Sequence, residues 1–512
     1  MGTMTTDTLS VPAPTTPDGL WTDAYKMRMA QMGWPLRPER FVLSFRRGGP
    51  WFVPLDLTAF VQRAVQPVDD HAFLARHGFH MDSGFRDAMA GEVEVTALPV
   101  GAWFSDHEPI LTVSGPSARV SNLEARLIGE LAFRIQVGTL GKLHTLGLLS
   151  REELERRLGV ATCEQERAIV LETLAAVGVD DLVCRADPEG FFEHVRARAA
   201  AILDVVGDPR RVAEGGLRSA TCAEHHLLAV AACRDAGWRA TSNVWAARAL
   251  DMIPVGTTGH EHSQRYGADL PAFRAAAERC PGNMTLLLDT YSTRQSGVPM
   301  ALRVLQEHPG RLLSVRPDCE PTQVGDVHLM ISALAERGLT AGINLSGGFD
   351  RDKTAAFLAL ARSRGFPEQR MSFLYGGSIL APHVPLPTRS TPSAVFKLCF
   401  SHRPTMKWSD GADGRPGPKS SKPGHPVVFR LASPDAAATE TAPLGLVGQA
   451  GEAPPRGYLR QDEAEPIALD AGLVRRFRAG PPLHSAATSR LVAACERQRA
   501  RAIASALSPE VS

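Results

Sequence analysis

The sequence predicts an α/β protein, in which repeated strand–helix units build a parallel sheet, open or closed into a barrel, next to an α+β domain. Three observations lead there. Across residues 216–385, short apolar runs end in polar or glycine-containing loops and are followed by helical text. Met284–Asp289, Leu312–Arg316, Thr340–Leu345 and Met371–Tyr375 are such runs. His260, Asp289, Asp318, Gly347 and Gly376 recur at a spacing of 29 residues, about what one strand, one helix and two loops consume. Finally, 44% hydrophobic residues in a chain of 512 supply a large core. In a parallel sheet the loops after the strand C-termini gather at one end, so residues far apart in sequence converge there.

The elements follow in order. Residues 1–19 read as a disordered Thr/Pro-rich tail. Residues 20–127 mix short apolar runs (Phe41–Phe45, Trp51–Leu55, Val93–Leu98, Pro109–Val113) with Gly and Pro, as strands and turns of an α+β domain do. Residues 118–144 and 150–206 read as helical, the latter with breaks. The barrel region spans 128–388. Beyond it, Ala394–Cys399 and Val427–Leu431 read as strands, 409–426 as a long loop, 433–457 as a mobile Ala/Pro/Gly connection, and 486–507 as a helix. The arginines of that helix (490, 497, 499, 501) do not share one face, which favours packing over binding.

Bulk properties narrow the function. A net charge of +1 demands neither nucleic acid nor an anionic membrane. Eight scattered cysteines without a C-x-x-C pair argue against a disulfide scaffold or a cysteine-rich zinc site and fit a cytoplasmic setting. No apolar run reaches the ~18–20 residues that span a bilayer. Met1–Thr6 fits a myristoylation pattern, which a Thr-rich tail also produces by composition.

Several residues carry chemistry. Gly256-Thr257-Thr258-Gly259-His260 is a glycine-rich turn after a strand. It would present His260 as base, acid, nucleophile or metal ligand, the alternative being a structural histidine. Ser346-Gly347-Gly348 and Gly376-Gly377-Ser378 lack Cβ atoms where backbone amides and a following helix N-terminus would cradle phosphate. Asp289 and Asp318 end strands on the same rim, where carboxylates hold Mg²⁺, sugar hydroxyls or a histidine partner. Arg316 points to the side of Asp318 if the strand stays extended. Arg316 and Arg218 are each able to pair with carboxylate or phosphate, or to serve a structural ion pair.

Together these motifs resemble the nicotinate phosphoribosyltransferase family. Thr22-Asp23-Ala24-Tyr25 with Met29-Ala30-Gln31 is similar to its T-D-x-Y-x-x-x-M-A-Q opening, and Glu108–Pro116 to its E-P-L-x-x-V-x-G-P segment. Gly237–Asn243, Ile253–Val255 and the loop to His260 resemble its G-x-x-x-T-S-N…I-P-x-x-G-T-x-x-H stretch. Leu288–Tyr291, the two Gly pairs, Phe396-Lys397-Leu398, Met406-Lys407, Lys419, Pro423-Gly424 and Phe429-Arg430 complete a series running from about residue 21 to 431.

The resemblance implies an irregular α/β barrel of the type II phosphoribosyltransferase kind, with the N-terminal α+β domain completed by the C-terminal segment 389–512. It implies a homodimer with shared active sites. The reaction it implies joins nicotinate to phosphoribosyl pyrophosphate, with Mg²⁺ and with ATP hydrolysis through a phosphohistidine, in NAD salvage. His260 would be that histidine, oriented by Asp289. Tyr25, from a neighbouring subunit, Arg218 and Thr257 would meet the base. Arg316, Asp318, Ser346, Gly347, Gly348, Gly376 and Gly377 would meet the phosphates; the metal ligands stay open. One departure stands out: the family continues its Arg-x-Asp strand with S-G-D, and this chain has Cys319-Glu320-Pro321. It keeps two alternatives in view: nicotinamide or another pyridine as the base, or a nucleotide-binding regulator. If the 409–426 loop acts as a lid, its Lys419 and Lys422 would meet pyrophosphate.

Overall fold

The computed structural model describes residues 18–506 apart from 69, 281, 283, 310, 312, 319–321, 409–419, 432–444 and 461–482. Seven parallel strands form the central sheet, in the order Ile253–Pro254, Ala240–Thr241, Val212–Glu214, Met371–Tyr375, Gly342–Leu345, Leu313–Arg316, Met284–Leu287. Read as a ring, this is chain order, opened at one seam between Ile253–Pro254 and Met284–Leu287. Thr258 Oγ1 donates across that seam to the Thr285 carbonyl at 3.3 Å. The loop spacing seen in the sequence is the sheet register: Met284 pairs with Leu313, Ser314 with Gly342 and Ile343 with Met371, offsets of 29, 28 and 28 residues. The first strand, Val212–Glu214, lies just before the stretch 216–385 in which the strand–helix units were read, and Met371–Tyr375 joins it.

Helices Ala223–Asp235, Val244–Ala249, Asp269–Arg279, Val298–Glu307, Gln323–Glu336 and Arg351–Ser363 connect the strands. Their starts are encoded locally. Asn243 Oδ1 accepts from the Trp245 and Ala246 amides, and Asp350 Oδ1 from the Lys353 amide. Gly297 precedes Val298–Glu307 at a place where a Cβ would lie 2.0 Å from the Leu288 carbonyl. Only a glycine lets this helix close on its strand.

A second, antiparallel sheet runs Val395–Ser401, Pro38–Ser44, Leu111–Pro116, Glu94–Ala97. The C-terminal chain thus supplies an edge strand to the N-terminal sheet, as the sequence resemblance implies. Phe41 stacks on Phe396 with ring centroids 5.1 Å apart, and Leu43, Leu111, Val113 and Leu398 share their core. A third sheet joins Tyr458–Arg460, Pro426–Leu431, Gly445–Gln449 and Leu483–His484. The expectation of a mobile 433–457 connection is therefore corrected at Gly445–Gln449, which is a strand paired along Pro426–Leu431. The tail expectation is corrected at its last two residues. Asp18 pairs with Arg248 at 2.8 Å, and the Gly19 amide donates to the Pro67 carbonyl at 2.7 Å. The rest of the tail, residues 1–17, lies outside the described residues, as do Lys419 and most of the 409–426 loop.

Two of the sequence motifs prove to be one ion pair. Glu108 Oε2 is buried against Arg430 Nη1 at 2.7 Å and also accepts from the Ser105 amide. It ties the third sheet to the N-terminal domain. Removing one partner of a buried pair strands the other charge away from water. Arg430→Ala is therefore expected to cost about 3–5 kcal/mol in urea or guanidinium unfolding. Asp181→Ala, at the exposed Arg151–Asp181 pair, should leave the unfolding midpoint essentially unchanged.

Candidate active site

The rim formed by the strand C-termini opens onto a cavity of about 390 Å³. His260 enters it as the first residue of the helix His260–Tyr266. The glycines before it answer to the N-terminal helix Ala24–Met32: a Cβ on Gly256 would lie 2.4 Å from the Tyr25 amide nitrogen, and one on Gly259 3.0 Å from the Tyr25 ring. The imidazole Nε2 lies 2.6 Å from Lys407 Nζ, 3.8 Å from Asp289 Oδ2 and 3.9 Å from Asp318 Oδ2, and Nδ1 lies 3.2 Å from Thr290 Oγ1. Burial, then the Lys407 ammonium, lowers the His260 pKa to about 4 against the opposing pull of both aspartates. The ring is neutral at pH 7. An ammonium only donates, so Nε2 is the acceptor and Nδ1–H is left to donate to Thr290.

The next two loops are cross-braced. Arg316 Nη1 donates to Thr257 Oγ1, and Nη2 stands 3.7 Å from Asp318 Oδ2. Ser346 Oγ donates to Asp318 Oδ1 at 2.9 Å, and Gln323 Nε2 reaches the Pro317 and Ser346 carbonyls at 2.9 Å each. Gly347 and Gly348 adopt φ of +89° and +61°, a region that favours glycine. The helix Arg351–Ser363 starts just beyond them. Gly376 and Gly377 also line the cavity, but no helix starts directly after them, residues 376–394 being turns and loop. The expectation of two equivalent phosphate cradles is thus corrected: only the Ser346–Gly348 loop has a helix N-terminus behind it.

At the opposite end Tyr25 meets Arg218, whose guanidinium carbon is 5.7 Å from the ring centroid. Tyr25 lines this same cavity. Asp23 holds this end together. It lies 3.4 Å from Arg218 Nε and accepts from Ser242 Oγ at 2.6 Å. The Thr-Ser-Asn motif is accounted for residue by residue. Thr241 donates to the buried Glu214, Ser242 to Asp23, and Asn243 both caps its helix and donates to His226 Nδ1.

Charge around the cavity is unbalanced. Arg46, Arg47, Arg218, Arg316, Arg389, Lys397 and Lys407 line it, against Asp23, Glu124, Glu261 and Asp318. The crowding shows in the titrations. Burial, then Arg218, pulls Arg389 down to about 10. Lys397 falls to about 7 through burial, with Glu124 opposing and Lys407, Arg46 and Arg218 adding to it. Such a cavity takes anions.

No family model matches the chain. Over 118 residues it is 34% identical to the nicotinate phosphoribosyltransferase of Bacillus subtilis, a stretch covering 23% of this chain and 24% of that relative. The match thus spans about a quarter of the curated relative's length. Solved structures cover far more. The nicotinate phosphoribosyltransferase of Vibrio cholerae aligns over 78% of this chain and 90% of its own, with TM-score 0.53 and 17% identity. That of Porphyromonas gingivalis aligns over 78% and 95%, with TM-score 0.51 and 16% identity. The fold is that of the nicotinate phosphoribosyltransferases.

Within that fold every site residue expected from the sequence comes to one rim, Asp289 just behind the cavity wall at His260. Residues 319–321, where the sequence departs from the family pattern, lie outside the described residues. Sequence reasoning gave no role to Lys407, Thr290, Gln323, Arg389 or Lys397. Lys407, Lys397 and Thr290 were flagged by the motifs that contain them, whereas Gln323 and Arg389 carry no local signal. Lys422, the described lysine of the expected lid, is not among the cavity-lining residues; burial lowers it to about 8, with Glu108 opposing.

The ordinary histidine value is 6.5, so a folded-state value near 4 means that the unfolded chain binds the proton more tightly. Stability should therefore fall as pH drops from about 6.5 to 4. Histidine NMR should find His260 neutral down to about pH 5, and Lys407→Ala should raise its pKa, because both aspartates remain.

Proposed function

We propose that this chain is a nicotinate phosphoribosyltransferase of NAD salvage. The observation that carries the reading is the convergence of a neutral histidine, a glycine loop backed by a helix, and an Arg–Tyr pair on one cation-rich cavity of this fold. In the reaction the pyridine nitrogen bonds to the anomeric carbon of phosphoribosyl pyrophosphate while the bond from that carbon to the pyrophosphate oxygen breaks. Positive charge grows on the sugar and negative charge on the leaving group. Tyr25 packs on the ring of nicotinate and Arg218 faces its carboxylate, with Thr257 fixing the neighbouring Arg316. The Ser346–Gly348 and Gly376–Gly377 backbones take the ribose phosphate. Arg316 and Lys407 neutralise the departing pyrophosphate. The cation surplus favours the acid over the uncharged amide as the base.

ATP coupling is assigned to His260. Its Nε2 attacks the γ-phosphorus of ATP, an N–P bond forms, the bond to ADP breaks, and water later cleaves the phosphohistidine. Lys407 is hydrogen-bonded to that same lone pair, so its ammonium must pass to the incoming phosphate before attack. Asp289 and Asp318 then favour the imidazolium character that develops.

Mg²⁺ does not fit as a protein-caged ion. The His260, Asp289 and Asp318 ligand atoms lie within 4.8 Å of one another, but one donor is a nitrogen and Lys407 stands 3.6 Å from Asp289. Asp289 Oδ1, buried without a hydrogen-bond partner, is one open acceptor, too few for an octahedral oxygen cage. Mg²⁺ enters this reading as part of the bound pyrophosphate substrate. No helix of the described residues is long and apolar enough to cross a membrane. The seven described cysteines are free and buried, which suits a reducing cytoplasm.

The test is product formation from phosphoribosyl pyrophosphate and Mg²⁺ with nicotinate or nicotinamide, with and without ATP. Nicotinate mononucleotide should form, ATP should stimulate it, and His260→Ala should abolish the stimulation. Nicotinamide turnover in place of nicotinate, or none with either base, would overturn the reading. Arg218→Ala should raise KM for nicotinate by about 10-fold or more, the scale of one charge-assisted contact, and leave KM for phosphoribosyl pyrophosphate within about 2-fold.

A further inference from the structure

The arginines of the C-terminal helix Ala486–Ala506 divide between two faces. Arg499 turns inward: its Nε donates to the Tyr291 carbonyl at 2.9 Å, and its guanidinium carbon lies 5.0 Å from the Trp408 ring centroid. Arg497 and Arg501 each sit two residues from it, about 200° of helix, and so face the other way. With Gln498 and Ala502 they form one wall of an open groove of about 590 Å³. The facing wall is Arg403 with Tyr266, Gly267 and Ala268, where the helix His260–Tyr266 ends. No carboxylate lines the groove among the described residues.

Arg403 has a structural account. Gly267 closes its helix at φ +80°, and a Cβ there would collide with Arg403 Nη2. The glycine thus seats this guanidinium at the helix C-terminus, where the carbonyl ends attract a cation. One cation answers one helix end. Arg497 and Arg501 add two more across the groove, and like charges one turn apart on a helix repel. None of the three has an ion-pair or side-chain hydrogen-bond partner among the described residues. Beside Gly267, Gln498 Nε2 is a further buried donor without a partner. In a chain of net charge +1 with 55 acidic residues, three cations gathered without a carboxylate depart from even mixing.

The chemistry selects an anion of several charges. A single carboxylate answers one guanidinium. An oligophosphate carries charge on each phosphoryl unit, and each unit accepts two parallel bonds from an arginine fork. Arg497 and Arg501 stand about 6 Å apart along the helix, so linked phosphates lying along it meet both, with Arg403 reaching from the facing wall. We propose that this groove is a second ligand site, for an oligophosphate: a free polyphosphate or the phosphate chain of a nucleotide. It shares no lining residue with the His260 cavity and needs no part of the transferase reading.

The test is arginine labelling of the full-length protein by phenylglyoxal, read peptide by peptide in a mass spectrometer. Millimolar tripolyphosphate should slow the labelling of Arg497 and Arg501 by about tenfold and leave the exposed Arg210 unchanged. Sodium chloride at equal ionic strength should protect neither. ATP acting at lower concentration than tripolyphosphate would assign the site to a nucleotide, and equal potency to the phosphate chain alone; both support the proposal. Arg403→Ala should raise the tripolyphosphate concentration needed to protect Arg497 by about tenfold, because both walls hold one anion. Cooperative thermal melting confirms that the variant folds; Arg501→Glu, which reverses an exposed charge, decides if it does not. Unchanged labelling of Arg497 and Arg501 in tripolyphosphate would overturn the proposal. Equal protection by sodium chloride, or of Arg210, would mean general screening by salt and overturn it as well. So would full protection of Arg497 in a folded Arg403→Ala variant.

Discussion

Glu39, Arg265, Glu261, Lys26 and Glu124 form one continuous buried chain of alternating charge. Arg265 lies 2.8 Å from Glu39 and 3.1 Å from Glu261, and Lys26 lies 2.5 Å from Glu261 and 2.9 Å from Glu124. The Tyr25 hydroxyl adds a donor at the far end. Four separate pieces of chain meet here: the edge-paired strand Pro38–Ser44, the helix that begins at His260, the N-terminal helix and the helical segment that begins at Glu124. Burial alone would lower the Lys26 pKa, but Glu124 and Glu261 outweigh it and raise it. Burial would likewise raise Glu124, and Lys26, Lys397 and Arg218 together push it well below the usual range. Each ion is tolerable only with its neighbours in place. The network therefore fixes the separation between Tyr25 at one end of the cavity and His260 at the other.

The cavity itself follows the opposite rule. The network closes its charges on one another, whereas the cavity leaves guanidinium and ammonium groups crowded together with fewer carboxylates. Arg389 beside Arg218, and Lys397 between Lys407, Arg46 and Arg218, hold their protons less firmly than usual, chiefly because they are buried and further because of these like charges. Energy stored as like-charge crowding is released when an anion enters, and the donors need little reorganisation at that moment. The rigid network beneath makes such crowding sustainable.

Much of this was legible in the sequence because parallel sheets have a periodic register. The 29-residue recurrence located the rim, and the strand-end residues His260, Asp289, Asp318, Ser346 and Gly347 reached it together. Gly256 and Gly259, read in the sequence as a turn that presents His260, also make room for Tyr25. What stayed hidden is set by tertiary packing. Lys407 reaches His260 from 147 residues away, and Gln323 braces two loops from inside a helix. The strand Gly445–Gln449 sits in a composition that reads as linker, and only its pairing with Pro426–Leu431 overrides that local preference. The two-residue strand Ala240–Thr241 is too short to carry a pattern at all.

The edge strand Val395–Ser401 has a consequence in time. A ribosome delivers Pro38–Ser44 early and its partner some 350 residues later. At a synthesis rate of about 5–20 residues per second, that interval is tens of seconds. Through it the nascent N-terminal sheet carries an unpaired edge and a Phe41 ring without the Phe396 it stacks on. Within the barrel the longest wait is shorter, some 160 residues between Val212–Glu214 and Met371–Tyr375, and the other units follow one another along the chain. The domain that leaves the ribosome first is thus the last to be finished, and it is the one most exposed to chaperones on the way.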